Sequence, residues 1–542
     1  MGRNRVLAIL LGVLAALVLI IGGLSTVLLL TGGAQGDGAG GSSASSSGAT
    51  LQLAGGDPIT LDPHLAGDAG SAEYIVEIFS GLTTIDQKLN VVPDLAESFK
   101  VSDDGKTYTF ALRPNATFHN GRAVEAKDVK CSMERAASKQ LGSPTASAYL
   151  NDIVGSAEVF RGMTSEMKGI EVVDARTVKI TIDAPKPYFL AKLSFPTAFV
   201  VDCAQVKDNP RNWTRQPNGT GPYKLKEWRL GERLVLQAYD GFYAGVPKLQ
   251  QTVYAFSGGS PFTRFQNKEL DVAGISVNDM DSVRDKNNPL NKLYRVDSSF
   301  SISYIAMNVK APPLDDVNVR RALGLAMDRQ KITNVTFNRM VAAATGILPP
   351  ELPGFTPTDK SLKFNPEEAK KALAASSYAG KPLPIIELTE VGAGAEGRID
   401  TQAYIEGWKQ ILGIEVRIRQ TDQATFYADV DAGKLQMFNS GWIMDYPDPE
   451  NVLDLKFYSK SQLNDSSYAN PKVDRALEEA RTERDPEKRI RLYQQAEIDI
   501  VNDAVWLPLY FAQSHSVVSA AVKGWFEPPM VIPRLRFVTV ER

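Results

Sequence analysis

Residues 401–418 have the sequence TQAYIEGWKQILGIEVRI, and the fold class can be predicted from this short stretch. Its first twelve residues predict a helix, which ends at Gly413 because glycine adopts the left-handed conformation most easily. Ile414, Val416 and Ile418 then alternate with other residues, which predicts a strand with one buried face. A helix followed directly by a strand is the repeating unit of α/β proteins.

Helix and strand signals alternate through the rest of the chain as well. At three places an Asn or Asp precedes a proline, so that the side chain can cap a helix while the proline loses no hydrogen bond. These predicted helix starts are Asn365-Pro366, Asn470-Pro471 and Asp485-Pro486. Another helix is predicted from Ala126, and a strand over residues 107–112. The chain is therefore predicted to be α/β, and it has no internal repeat.

The composition is that of a globular protein with a sizeable core. The chain has 542 residues, of which 43% are hydrophobic and 23% charged, so global disorder is excluded. This length suggests about two to four domain-sized units. The formal net charge of -3 argues against a nucleic-acid partner, which usually requires a basic surface.

Cysteine and histidine are too scarce for a disulfide scaffold or a local metal motif. Cys131 and Cys203 leave two alternatives open, one disulfide formed outside the cell or two buried thiols. The histidines, His64, His119 and His515, are far apart in sequence, so only folding can bring them together as metal ligands. We expect no cofactor and no resident metal.

The N-terminal region predicts an extracytoplasmic location. Two arginines lie within the first five residues, and residues 6–30 contain no charge. A run of about 20 apolar residues suffices to span a bilayer, with the positive flank in the cytoplasm. Residues 1–31 are therefore predicted to be a membrane anchor, although the small residues 32–34 also fit cleavage of a signal segment. Residues 32–49 are mostly Gly, Ala and Ser, which predicts a flexible linker.

Short motifs spread over nearly all of residues 50–540 together resemble one family. They are LDPH at 61–64, FSGL at 79–82, PDLAES at 93–98, GTGPY at 219–223, NVRRAL at 318–323 and GWIMDYPDP at 441–449. In this order and spacing they resemble the family 5 extracellular solute-binding proteins, which include the oligopeptide and dipeptide receptors of ABC importers. Each motif alone is modest, but the set is specific.

The resemblance implies an α/β protein with the two-lobe periplasmic-binding-protein-like fold. In such a fold a cleft lies between two hinged lobes. We expect residues 50–297 and 505–542 to form lobe one, and residues 298–504 to form lobe two.

Lobe one is also expected to carry an extra subdomain, within residues 83–215. The chain is expected to cross between the lobes as strands, over 297–308 and 501–510. Closing the cleft would hide a solute from water and strengthen its polar contacts. A membrane permease would then recognise the closed form.

The resemblance also implies a ligand-binding carboxylate. In peptide-binding members, the aspartate at the position of Asp445 pairs with the ligand's α-amino group. A buried ammonium needs such a fixed partner, because desolvation is otherwise too costly. Asp448 in the same loop is the competing carboxylate, and a surface or capping role is the alternative for such a residue.

Four further residues are candidates for ligand binding. Trp442 and Tyr446 flank the leading aspartate and are expected to stack on a ligand or to pack in the core. The resemblance places Asn308 on a crossing strand that faces the cleft. It also places Ser71 in the segment 68–73, which lines the cleft in relatives.

The implied function is that of the extracytoplasmic substrate-binding component of an ABC importer, which captures peptides and delivers them to permease subunits. The alternatives are a receptor for another solute, such as a nickel chelate, haem or an oligosaccharide, and a membrane-tethered peptide sensor. Catalysis is not expected, because the sequence has no Walker glycine loop and no Gly-x-Ser-x-Gly elbow. Relatives suggest a monomer.

Overall fold

The predictions for the N-terminus fall outside the part of the chain that can be described. The computed structural model describes residues 49–358, 360–392 and 397–542. The predicted anchor over 1–31, and all but the last residue of the predicted linker over 32–49, lie outside these ranges. Within the described residues, no helix has the length and apolar character needed to cross a membrane.

Strands and helices alternate along the described chain, which confirms the predicted α/β class. The strands are β1 (Thr50–Ala54), β2 (Thr83–Ile85), β3 (Val91–Pro93), β4 (Ala96–Val101), β5 (Thr107–Leu112), β6 (Ile170–Asp174), β7 (Thr177–Thr181), β8 (Tyr223–Arg229), β9 (Arg233–Ala238), β10 (Gln251–Ala255), β11 (Val272–Gly274), β12 (Tyr294–Met307), β13 (Val341–Ala343), β14 (Ile386–Val391), β15 (Val416–Thr421), β16 (Met437–Ile443), β17 (Trp506–Val518), β18 (Val522–Lys523) and β19 (Thr539–Val540). The α-helices are α1 (Ala69–Ile78), α2 (Ala126–Ala137), α3 (Ala146–Tyr149), α4 (Ser156–Phe160), α5 (Phe189–Lys192), α6 (Cys203–Asp208), α7 (Pro261–Gln266), α8 (Met280–Arg284), α9 (Val317–Leu325), α10 (Arg329–Val335), α11 (Pro366–Ala374), α12 (Ile399–Leu412), α13 (Gln423–Asp431), α14 (Glu450–Phe457), α15 (Pro471–Thr482) and α16 (Pro486–Asn502).

The largest sheet extends through the whole described unit. Its strands follow the order β15-β14-β16-β12-β17-β11-β1-β10-β9-β8, and β13 pairs with β17. The two longest strands of the described chain, β12 and β17, form an antiparallel pair at its centre. On one side β1 is parallel to β10 and β11, and on the other β14 is parallel to β15 and β16. The central pair thus joins two α/β halves, as the two-lobe fold requires.

The two central strands lie close to the predicted crossings. β12 covers all but the last residue of 297–308. The prediction of strand over 501–510 was wrong at its start, since α16 continues to Asn502 and β17 begins at Trp506. The helix extends further because Val501 is still part of its buried face. The exact lobe boundaries stay a prediction.

The region in which an extra subdomain is predicted has its own sheet and core. Four antiparallel strands follow the order β4-β5-β7-β6, and α2 packs on β6 and β7. Alternate side chains of β5 are buried, with Phe110 fully so, which confirms the predicted strand. A disulfide joins Cys131 of α2 to Cys203 of α6. Of the two alternatives for the cysteines, the structure therefore has the bridge.

The predicted helix starts are confirmed. Helices α11, α15 and α16 begin at their prolines, and each preceding side chain accepts a backbone N–H two or three residues ahead. Helix α12 begins slightly early, at Ile399, and ends at Gly413, whose φ is 68°. The next strand starts at Val416 and not at Ile414, because Ile414 still donates its N–H to the carbonyl of Trp408 in the helix (3.4 Å).

Buried side chains form several separate cores. One core surrounds α1, β1 and β8 to β10 and contains Tyr74 and Tyr254. Another lies against β12 and β14 and contains Trp408. A third core brings Tyr149 of α3 together with Tyr446, which follows β16. This third core joins residues of the predicted lobe one to residues of the predicted lobe two, and the candidate site lies within it.

Candidate functional site

The motif at 441–449 leaves the central sheet beside the crossing strand β12. Strand β16 is hydrogen-bonded to β12, with Trp442 opposite Ile302. Immediately after β16, Met444 donates its backbone N–H to the carbonyl of Phe300 (2.8 Å). The next residue, which is the leading ligand candidate, is therefore held by the backbone at the end of the sheet.

The carboxylate of Asp445 is oriented by neutral hydrogen-bond donors. Its backbone N–H donates to Oδ1 of Asn451 (2.9 Å), and its Oδ2 accepts from Nδ2 of Asn451 (3.3 Å). The same Oδ2 accepts a short hydrogen bond from the hydroxyl of Tyr149, 296 residues away in sequence. Within the described residues, no Lys, Arg or His forms an ion pair with this carboxylate.

The environment of Asp445 disfavours its charged form without eliminating it. Burial raises the pKa of Asp445 to about 6, and the hydrogen bonds from Tyr149 and Asn451 offset only part of that rise. Burial, followed by the nearby charge of Asp445, raises the pKa of Tyr149 well above its ordinary value, so its hydroxyl remains a donor. At neutral pH the carboxylate is thus ionised but poorly solvated, which favours the arrival of a cation.

Aromatic rings pack around Tyr149, whose hydroxyl reaches this carboxylate. Tyr149 stacks on Phe195 with ring centroids 4.1 Å apart, and it meets Tyr446 edge to face at 6.2 Å. Tyr446 is fully buried and donates its hydroxyl to Glu450, whereas Trp442 is partly exposed. Tyr446 is therefore part of the core, whereas Trp442 keeps part of its surface accessible to solvent.

Asp448, the competing carboxylate, is neutralised within the chain. Its two oxygens accept from the guanidinium of Arg489 at 2.7 and 2.8 Å. Oδ1 also accepts from the backbone N–H of Glu450 (2.9 Å). The side chains of Asp448 and Arg489 are 15% and 8% exposed, so the pair is largely shielded from water. This carboxylate ties the loop to α16 and supports the start of α14.

The side chains of the two remaining candidates, Asn308 and Ser71, make hydrogen bonds within the chain. Asn308 follows the far end of β12, roughly 20 Å along the strand from the residue opposite Trp442. Its side chain donates to the carbonyl of Gly433 (3.4 Å). Ser71 is fully buried in α1, where its Oγ accepts from the N–H of Thr60 (3.3 Å). Both side chains make hydrogen bonds that hold local structure.

A buried cluster of charges links the extra subdomain region to α14. The ammonium of Lys192 lies 3.0 Å from Asp152 and 3.5 Å from Glu450, and it donates to the carbonyl of Ala148 (2.9 Å). Each of the three ionic side chains is 3% exposed. Burial raises the pKa of Glu450, although Lys192 opposes the rise. A cavity of about 260 Å³ lies beside this cluster.

Sequence reasoning missed Tyr149, Lys192 and Asn451. Asn451 is fully buried, and its Oδ1 also accepts from the indole N–H of Trp442 (3.1 Å), so one amide orients both neighbours. Asn451 could have been recognised from the sequence, because it is a polar residue two positions after the 441–449 motif. Tyr149 and Lys192 have no such local signal, since their partners lie far along the chain.

The three histidines lie in separate places and are engaged internally. In each of His64, His119 and His515, Nε2 is within 2.9 to 3.1 Å of a backbone carbonyl oxygen. Burial lowers the pKa of His64 and of His119 to about 4, so both rings are neutral at physiological pH. Across the described ranges, no group of three or more His, Cys, Asp or Glu side chains is arranged to hold a metal ion.

Two α/β halves joined by a long strand pair define the class of two-lobe solute-binding proteins. The sequence profile described as bacterial extracellular solute-binding proteins, family 5 (middle part), matches residues 90–464. The chain belongs to this family.

Curated and solved relatives cover nearly the whole chain. The dipeptide-binding protein DppE of Bacillus subtilis is 28% identical over 496 residues, which is 88% of each chain. The murein tripeptide-binding protein MppA of Escherichia coli superposes with a TM-score of 0.80 at 25% identity, covering 92% of this chain and 99% of that one. A structure of MppA in its unliganded open form gives 0.68 at 25% identity, covering 91% and 98%. The described chain is therefore closer to the first arrangement than to the open one.

Proposed function

We propose that this protein is the peptide receptor of an ABC importer, and that Asp445 binds the amino terminus of the peptide. One observation carries the proposal: the carboxylate of Asp445 is enclosed between the two halves, but the described chain supplies no cation to it. A ligand ammonium would complete the site, and a hydrogen bond to a charged group contributes about 1.5–3 kcal/mol.

Tyr149 supports this proposal, because it reaches the carboxylate from the opposite predicted lobe. In the proposed complex the peptide ammonium lies beside the carboxylate, while the ring of Tyr149, stacked on Phe195, covers it. A closed cleft excludes water and strengthens such polar contacts. The closed receptor then presents the surface that the permease subunits recognise.

The names of the relatives support the ligand class, since one is named for dipeptides and another for a murein tripeptide. We propose that the protein acts as a monomer without catalysis, held outside the cytoplasm by residues 1–31. Fractionation tests the anchor: the full-length protein should sediment with membranes, and its recovery in the soluble fraction would overturn the anchor while leaving the receptor proposal intact.

Ligand-dependent thermal unfolding of the full-length protein tests the ligand class. Peptides of two to eight residues, nickel chelates, haem and oligosaccharides are compared on the wild type and on Asp445→Ala. A ligand that binds only the folded state stabilises it by about 2.7 kcal/mol at 100 times Kd. Peptides should raise the melting temperature of the wild type only. If only the non-peptide solutes raise it, the peptide proposal is wrong.

A further inference from the structure

A second cavity, of about 270 Å³, lies where lobe-one elements meet the central strands. Its walls come from α1, from the C-terminal segment 527–534, and from Ser299 and Ile443. It is distinct from the cavity beside Lys192, with which it shares no lining residue.

This second cavity is adjacent to the proposed ammonium site. Ile443 forms part of its wall, and Asp445 follows two residues later. The Cα atoms of these two residues are therefore at most about 7 Å apart, the span of two residues of extended chain. Two hydrogen bonds hold the walls together here. The N–H of Met444 donates to the carbonyl of Phe300 (2.8 Å), and the N–H of Phe300 donates to the carbonyl of Pro529 (2.7 Å). A ligand held at Asp445 therefore has the cavity within reach of its first residues.

The charged groups in the cavity wall are predominantly acidic. Three carboxylates, Glu73, Glu77 and Glu527, line it together with a single guanidinium, that of Arg534. Arg534 lies 2.7 Å from Glu73 and 2.7 Å from Glu527, so one cation is shared by two carboxylates. The wall thus has more carboxylates than it has cations to neutralise them.

The third carboxylate has an oxygen without a partner. Glu77 is 1% exposed, and its Oε1 accepts from the backbone N–H groups of Arg534 (2.7 Å) and Leu535 (2.9 Å). Its Oε2 is buried and has no hydrogen-bond partner in the described structure. Arg536 is a further positive charge near Glu77, but it does not line the cavity. Burial raises the pKa of Glu77, and a cationic donor that reached this oxygen would favour the ionised form of the carboxyl group.

We infer that this acidic cavity is the subsite for a basic side chain of the ligand, on the first or second residue of a peptide whose amino group is bound at Asp445. The inference rests on the proposed function. The ammonium or guanidinium of the side chain donates to the carboxylates, while Pro528, Met530 and Ile532 contact its alkyl stem. The receptor therefore selects peptides with Lys or Arg near the amino terminus.

Paired peptides that differ only in one charge test this subsite. Calorimetric titrations of the full-length protein compare Lys-Ala-Ala with norleucine-Ala-Ala, and Ala-Lys-Ala with Ala-norleucine-Ala. Norleucine keeps the alkyl stem and removes the ammonium. In at least one pair, the lysine peptide should bind roughly tenfold more tightly or better, the scale of one charge-assisted hydrogen bond.

The variant Glu527→Gln locates the effect, since Glu527 is partly exposed and its replacement keeps the side-chain shape. It should reduce the preference for lysine over norleucine. The control is Glu232→Gln, which removes a carboxylate of similar kind from an exposed pair with Arg229. This control should leave the preference unchanged, and melting temperatures verify that both variants fold.

The outcomes separate this inference from the proposed function. Equal affinity for lysine and norleucine in both pairs overturns the subsite and leaves the peptide receptor intact. A preference that survives Glu527→Gln unchanged also overturns the assignment to this cavity. If no peptide binds at all, both proposals are wrong.

Discussion

Two aspartates, three residues apart in one loop, have opposite electrostatic surroundings. Asp448 is paired with Arg489 through both oxygens and also accepts a backbone N–H. Asp445 has only the hydroxyl of Tyr149 and the amide of Asn451 as side-chain partners. The loop thus contains one carboxylate that is paired with an arginine and one for which the described residues provide no cation.

This difference shows why residue type alone does not identify a binding site. Both side chains are acidic and both lie in the family motif, so the sequence presents them as competitors. What distinguishes them is a single arginine on α16, 41 residues from Asp448. Substitution of Asp448 should therefore reduce mainly stability, and substitution of Asp445 should reduce mainly peptide binding.

The largest effect is expected on stability, from Asp448→Asn. The substitution leaves the guanidinium of Arg489 buried without its ionic partner, which should lower the free energy of unfolding by about 3–5 kcal/mol. Urea unfolding followed by circular dichroism measures this loss. The control is Glu487→Gln, which breaks an exposed pair with Arg491 and should cost less than about 1 kcal/mol. Equal losses in the two variants would contradict the structural role of Asp448.

The next effect is expected on binding, from Asp445→Asn. Removing the charge should weaken peptide binding by about 2–3 kcal/mol, or roughly 30- to 150-fold, because the peptide ammonium loses its ionic partner. Calorimetric titration measures the change, and Asp448→Asn, once shown to be folded, should retain its affinity. A full loss of binding in Asp448→Asn with none in Asp445→Asn would reverse the assignment of the two roles.

A third effect concerns pH and comes from the raised pKa of Asp445, about 6. The folded state retains this proton to higher pH than the unfolded state does, so this residue's contribution to stability declines between about pH 4 and pH 6 and is constant above. Above pH 6, Asp445→Asn should therefore exceed the ligand-free wild type in stability by about 1–3 kcal/mol. Unfolding titrations from pH 4 to 8 measure this difference, and a difference independent of pH would contradict the raised pKa.

Protonation of Asp445 should weaken peptide binding, although it stabilises the ligand-free folded state. The α-amino group of a peptide has a pKa near about 8 and stays charged below neutrality, so only the carboxylate titrates around pH 6. Peptide affinity should thus fall as the pH drops below about 6. The matched control is Asp445→Asn, whose weaker affinity should change little over the same range.

The smallest effect is expected from Tyr149→Phe. Its hydroxyl lowers the pKa of Asp445, so its removal should raise that pKa and shift the midpoint of the pH-dependent loss of affinity upward. One hydrogen bond is worth about 0.5–1.5 kcal/mol, which limits the shift to roughly one pH unit. Titrations at several pH values measure the midpoint. A downward shift would contradict the donor role of the hydroxyl.

Local signals in the sequence predicted several helices and strands, and the family resemblance predicted the two-lobe fold. Each of these local signals involves only a few neighbouring residues, and the structure contains them all. They are the Asn or Asp caps before prolines, the alternating side chains of β5 and the helix end at Gly413. Boundaries were less accurate. Ile414 still bonds to α12, and α16 continues to Asn502 before the second crossing begins. These ends depend on packing against other elements, which periodicity does not describe.

The candidate site was predictable only in part. The resemblance pointed to the loop that contains Asp445, but Tyr149 and Lys192 contact that region only because the fold brings distant segments together. Asn308 and Ser71 were assigned by segment alone and stay predictions, and each side chain makes a hydrogen bond within the chain. A segment resemblance does not specify which side chains remain free for a ligand.

The role of Asp445 is tested by comparing the binding of one tripeptide with and without its amino-terminal charge. Ala-Ala-Ala and its N-acetylated form are titrated at pH 7.5 into the full-length wild type and Asp445→Asn. The free peptide should bind the wild type at least roughly 30-fold more tightly than the acetylated one, and Asp445→Asn should lose this discrimination. Equal affinity of the wild type for the two peptides would contradict the claim that Asp445 binds the peptide amino terminus.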